Sequence, residues 1–417
     1  MGLRTKIVAT SVAGAAFVLL MLLMFYEPIE EDRCRLKSRK GDTDSQLCAL
    51  AAQFLLPLDG KPENLQDIPV NFDRPSYYEI KNGNRRISVV VNLSEKPTLC
   101  LDTNCDGLLS QEKLFTARHI NSNIWRFGPI ASLRQGGSGN TGSGFYINCF
   151  RANEPGPLTV FPVSYCTGKL RVAGQVYRVA VRDGDCDGLF NSILSLPLDH
   201  EWRSPASDIF AIDLNRNGQF ELSLTTRSEV MPLGRMVKIA GEYYAINIAS
   251  DGRSLELSGT EPQFGTLLID ANDTLAELKL WSDAADQHLP QGRQWQLPAG
   301  TYKATYARLA KTDAAGKEWT LSSTLSSVFT NLGALEFFMI KPGEITTIKI
   351  GPPFVVKADV QQTKSGNVSI GPILVGCSGE EYPAAFQESR RRRSSPPAFK
   401  IVDEKGIVLV SNNFKYG

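Results

Sequence analysis

An excess of either charge is missing from this chain. Lysine and arginine total 45 against 44 aspartates and glutamates in 417 residues, so no basic field recruits nucleic acid and no acidic excess keeps the chain unfolded. Histidine is scarce: His119, His200 and His288 are the only three, without the partner spacing of a metal site or a catalytic triad. The eight cysteines contain no Cys-x-x-Cys pair, which removes the usual zinc and thioredoxin spellings. There is no Gly-x-Ser-x-Gly elbow, His-Glu-x-x-His helix or Walker loop. The glycine-rich stretch Gly136–Gly144 is no substitute, because no lysine and helix follow it, and it reads as a surface loop.

Long apolar runs are also rare, and the one at the start is informative. Ile7 to Phe25 carries no charged residue and is preceded by Arg4 and Lys6. Nineteen such residues suffice to cross a bilayer. No small-residue cleavage site follows in Leu22–Pro28, so 7–25 predicts an uncleaved transmembrane signal anchor. Basic residues flank both ends, Arg4 and Lys6 before and Arg33, Arg35, Lys37, Arg39 and Lys40 after, and leave a positive-inside count undecided. The strand-like, cysteine-containing remainder decides for a single-pass protein with its large domain on the extracytoplasmic side.

What is abundant is one loop spelling. Asp102-Thr-Asn104-Cys-Asp106-Gly107, Asp183-Gly-Asp185-Cys-Asp187-Gly188 and Asp213-Leu-Asn215-Arg-Asn217-Gly218 each place oxygen side chains at the first, third and fifth positions and glycine at the sixth. That is the first half of a calcium loop. The twelfth positions are Lys113, Leu194 and Leu224, so the bidentate glutamate of an EF-hand is absent and other ligands are required. The carbonyls of Leu108, Leu189 and Gln219 supply the seventh position, and Glu112, Asp199 or Asp208, and Glu221 are the nearby carboxylates. In loop two, like charges about 5 Å apart repel by roughly 1–3 kcal/mol per pair. With three acids in loop two, two in loop one and one in loop three, affinity for calcium falls in that order. Such open sites suit the calcium concentrations outside cells. Cys105 and Cys186 occupy the fourth positions, where a side chain points away from an ion; a bridge between the two loops and two unbridged thiols are both open.

The pattern elsewhere is mainly β. A short helix over Leu47–Leu56 completes a juxtamembrane segment, 26–56. A first β region, 57–155, contains the hairpin around Asn82-Gly83 and loop one. A second, 156–262, repeats one hairpin, Leu170–Val181 and Val237–Ile248, and holds loops two and three. The later copy ends in Ser250-Asp-Gly-Arg-Ser254, a plain turn without alternating oxygens. Regular strands and turns predict a β-sandwich over 263–351 and a smaller one over 352–417, immunoglobulin-like or transthyretin-like. Arg390–Arg393 is a basic spot read as a solvated hairpin loop.

The ending 396–417, with Asp183–Gly188 and Ile212–Glu221, resembles a group of uncharacterised exported bacterial β-rich proteins with EF-hand-like loops. The resemblance spans most of 160–417 and implies fold and exported location, with no activity attached. Two readings follow: a calcium-stabilised envelope protein engaging a protein or polysaccharide, and an exported hydrolase whose site is scattered in sequence.

Overall fold

The structure is a computed structural model that describes residues 33–40, 53–82, 85–94, 96–121, 124–131, 144–150, 155–196, 207–221, 228–272, 274–324, 331–362, 368–382, 385–387, 392–393, 398–402 and 406–413. The chain is mainly β, built from several small, largely antiparallel sheets. Among the described residues no helix is long and apolar enough to cross a membrane; the expected anchor, 7–25, lies outside them.

The first unit joins two sheets around one core. Pro75–Asn82 and Arg85–Asn92 form the expected hairpin, extended by Thr98–Leu101 and Leu114–Thr116. Val89 and Val91 enter the main core, whereas Val90 and Cys100 face a smaller cluster with Leu65, Phe72 and Leu109. A strand buried on both faces is an unbroken apolar run, which is why Val89-Val-Val91 is spelled without alternation. The facing sheet orders Gln53–Leu55, Leu158–Pro162, Gly144–Phe150, Ile124–Ala131 and Arg118–Asn121. The helix expected over 47–56 is therefore corrected at its described end. Gln53–Leu55 is an edge strand paired with Leu158–Val160, and Leu55 is fully buried. Tertiary pairing outweighs a weak helical propensity there.

The second unit recruits the segment after the expected anchor. Arg33–Arg35 pairs with Ser254–Glu256, and Lys37–Lys40 pairs with Ser164–Thr167. Cys34 and Leu36 point into the core while Arg33 and Arg35 stay exposed. Residues of the expected juxtamembrane segment thus pair with strands in both sheets of this unit. The repeated hairpins are present as Ser164–Val172 with Gln175–Arg182 and Met236–Ile239 with Glu242–Ile248. Both turn at an Ala-Gly pair with positive φ, 48° at Ala173 and 50° at Ala240. The last hairpin closes on Asp251-Gly252, whose Oδ1 accepts the Arg253 N–H at 3.0 Å, as a plain turn does.

In the third unit, Gln294–Pro298, Phe264–Asp270 and Ile345–Lys349 form one sheet, the last two strands parallel. A larger sheet runs through Gln287–Pro290, Leu275–Ser282, Gly300–Thr312, Glu318–Thr324, Ala385–Gln387 and Arg392–Arg393. Residues of both enclose a single core. The boundary expected at 352 is not a break. Tyr382 is buried in this core, Phe354 and Leu374 pack on it, and Ala385–Gln387 pairs with Trp319–Leu321. The sheet of Val355–Gln362, Val368–Val375 and Glu381–Tyr382 leaves Val355 and Val356 exposed, and among the described residues it builds no second core. Of the basic spot, Arg392–Arg393 is a strand and 390–391 lie outside the described residues.

Candidate metal centre

Three stretches of chain adopt one loop conformation. The fourth residues, Cys105, Cys186 and Arg216, have φ of 61°, 63° and 61°, and the sixth, Gly107, Gly188 and Gly218, have 79°, 85° and 85°. Side chains other than glycine rarely adopt the second of these, so a spelling with glycine at position six is a backbone requirement. In each loop the first aspartate accepts the glycine N–H through Oδ2, at 3.1, 2.9 and 2.8 Å. In each, the fifth side chain accepts the seventh N–H, at 2.7 Å from Leu108, 2.7 Å from Leu189 and 2.8 Å from Gln219. The turn is held by its own oxygens before any ion is considered.

What distinguishes loop two is an atom left over. In loops one and three the remaining oxygen of the first aspartate, on Asp102 and Asp213, accepts the fifth-position N–H of Asp106 and Asn217 at 3.1 and 3.0 Å. In loop two the corresponding N–H of Asp187 is bonded to Asp185 Oδ1 at 3.3 Å, and Asp183 Oδ1 is buried with no hydrogen-bond partner. Loops one and three also give an acid a side-chain amide partner: Asn104 Nδ2 donates to Asp106 Oδ2 at 2.9 Å, and Asn217 Nδ2 to Glu221 Oε1 at 2.7 Å. Loop two has no amide to do this. Asp183, Asp185 and Asp187 bring one carboxylate oxygen each to within 4.8 Å of the others, an arrangement that could hold a metal ion.

Electrostatics follow from that crowding. Burial, and then the Asp185 and Asp187 carboxylates, hold Asp183 well above the ordinary carboxylate range. Asp185 is pushed up to about 6 by burial and then by Asp187. Asp102 of loop one is also raised, chiefly by burial, with Gly107 N–H pulling the other way. A cation among the carboxylates reverses these effects by favouring the charged forms.

The carboxylates expected as outer ligands accept N–H groups of the loop backbone. Asp208 is fully buried, accepts Gly184 N–H at 2.9 Å and Ser192 N–H at 2.7 Å, and so brackets loop two. Its carboxyl is held well above its ordinary range by burial, then by Asp185 and Asp183. Glu112 does the same for loop one through Thr103 and Asn104 N–H, at 2.8 and 3.4 Å, and Thr103 Oγ1. In loop three the bracket is Glu229, which accepts Asn215 N–H at 2.9 Å and Glu221 N–H at 3.2 Å; Glu221 itself takes the Asn217 amide. Asp199 lies outside the described residues. Asp208 and Glu112 thus brace the loop backbone, and Glu229 is a member that loop spelling alone does not reveal.

Loop two is also the one wedged between cores. Cys186 is 2% exposed and joins the core of the first unit, while Phe190, also 2% exposed, joins that of the second. Phe190 N–H bonds Ser250 O at 3.1 Å and its ring lies against Gly252, where a Cβ would come within 2.6 Å. The plain turn of the last hairpin is therefore a seat for loop two. Cys105 is exposed, Cys186 buried, and neither is bridged. Comparison with family models, curated proteins and solved structures finds no match.

Proposed function

We propose that the chain is a membrane-anchored extracytoplasmic β protein in which calcium fills loop two as a structural brace. One observation carries the reading: Asp183 Oδ1, buried and unpartnered, beside two further carboxylates in a loop that belongs to two cores. A buried unsatisfied carboxylate oxygen is costly, and a hard cation with oxygen ligands relieves it. Asp183, Asp185, Asp187 and the Leu189 carbonyl are the protein ligands, with water completing the shell. Loops one and three, whose amides already occupy their acids, are weaker sites or structural turns. Residues 7–25 anchor the chain, and its terminal β units face the envelope as a binding surface.

The test is thermal unfolding of the full chain in detergent, with chelator and with calcium raised to about 5 mM, a range typical of extracellular modules. Calcium raises Tm, Asp183→Asn with Asp187→Asn removes the rise, and magnesium at equal concentration reproduces little of it. No shift with calcium ends the reading.

A further inference from the structure

The second unit gathers cations on one face of a sheet. Lys37–Lys40, Ser164–Val172 and Gln175–Arg182 are neighbouring strands that together hold seven lysines and arginines and no acid. Cys166, Leu170 and Val172 fill the core, so Thr167, Lys169 and Arg171 face outward. On the next strand Tyr177, Val179 and Val181 are core and Arg178 faces outward. Lys169 stands directly opposite Arg178, and Lys37, opposite Thr167, is the diagonal neighbour of Lys169. Like charges so placed oppose each other. Lys37 and Lys169 are exposed and Arg171 is half-buried. Arg178 lies over the Phe220 ring at 4.7 Å and donates to the Gly218 carbonyl. Among the described residues no carboxylate forms an ion pair with Lys169, Arg171 or Arg178.

Chain length sets where this face can lie. Lys37–Lys40 is an edge strand of its sheet, and Arg33–Arg35 is an edge strand of the other sheet of the unit. Phe25, the last residue of the expected anchor, precedes Arg33 by eight residues, which even when fully extended reach at most ~28 Å. An anchored chain therefore holds this edge, and the cations beside it, within reach of lipid headgroups. Anionic headgroups attract such residues, and the long stems of lysine and arginine let their charges reach the surface. The tether itself carries Glu27, Glu30, Glu31 and Asp32, a competing counter-charge within the chain. Those acids number four against six cations on the three strands, the buried Arg182 left aside.

We propose that this face docks on anionic phospholipid headgroups of the membrane that anchors the chain, so that the second unit lies against the bilayer. The inference rests on the anchor at 7–25 and not on an ion in loop two. The full chain is placed in nanodiscs of phosphatidylcholine, with and without about 30% phosphatidylglycerol, and acetylated with acetic anhydride. Mass mapping reads Lys169 against Lys317, an exposed lysine of the third unit. Phosphatidylglycerol slows Lys169 labelling about threefold or more relative to Lys317, and salt at about 0.5 M, where screening lengths are ~4–5 Å, restores it. Lys37→Glu with Arg171→Glu abolishes the slowing, whereas Lys37→Arg with Arg171→Lys keeps it, and neither pair alters the response of Tm to calcium. Equal rates in the two lipids overturn the docking, and are the result to be seen if the tether acids cover the face. Slowing that survives the glutamate pair overturns it as well. A chain that alkaline carbonate washes from the membrane before reconstitution overturns the anchor and the docking with it, so the two failures are told apart.

Discussion

Loops two and three share backbone angles, glycine and first aspartate, and differ in what their oxygens have left to do. In loop three Asp213 gives both oxygens to its own loop and Asn217 ties up Glu221. In loop two three acids share the N–H groups of Asp187, Gly188 and Leu189, and one oxygen of Asp183 remains over in a buried setting. A loop of calcium-binding shape is therefore a fold of the backbone first. Whether it demands an ion depends on the surplus of buried negative oxygen, which the count of carboxylates against amides sets.

The largest expected effect breaks this comparison most directly. At a calcium concentration about 100 times Kd the ion adds about 2.7 kcal/mol, and Asp183→Asn with Asp187→Asn abolishes that increment in thermal melts, whereas Asp213→Asn leaves it intact. An equal loss from both would show the loops to be alike. Next, Asp213→Ala strips acceptors from the Gly218 and Asn217 N–H groups and costs roughly 1–3 kcal/mol, with the calcium increment unchanged; denaturant midpoints in chelator measure it.

The third test is pH. A carboxyl raised on folding keeps a proton that the unfolded chain has released, so its contribution is present below its unfolded value and is lost as pH rises through the folded one. For Asp185 that window runs from the usual carboxylate range, near 3.8, to about 6. In chelator the wild type therefore loses stability relative to Asp185→Asn as pH rises across it, and calcium cancels the difference at the upper end. Parallel Tm curves for the two proteins across the window would remove the electrostatic basis of the site. The smallest effect is chemical. Cys105 is exposed, whereas burial pushes the Cys186 thiol up, so iodoacetamide labels Cys105 in the native chain and Cys186 only after unfolding; mass mapping reads both.

The loops and repeated hairpins were legible because their signals are local: oxygens at alternate positions, glycine at the sixth, and alternation about a tight turn. The strands at 33–40 were not. Arg33-Cys-Arg-Leu-Lys alternates as a half-buried strand should, yet it follows the apolar run and reads as a basic flank until its partners, 164–167 and 254–256, are known. The bracketing acids are tertiary in origin. Asp208 precedes Ile209–Ile212, whose first residue pairs with Arg182, so it stands opposite Asp183. Glu229 precedes Val230–Pro232 and stands opposite Ile212, one residue before Asp213. An acid just ahead of the strand that pairs with the one feeding the loop was a readable signal, given the pairing.

Cys186 and Phe190 sit four residues apart in one loop and belong to different cores. Neither core can come apart without displacing one of them, and displacing either disturbs the carboxylates between. With calcium held in loop two, as proposed, the two units should unfold as one cooperative block, and melting should separate into two transitions when it is withdrawn.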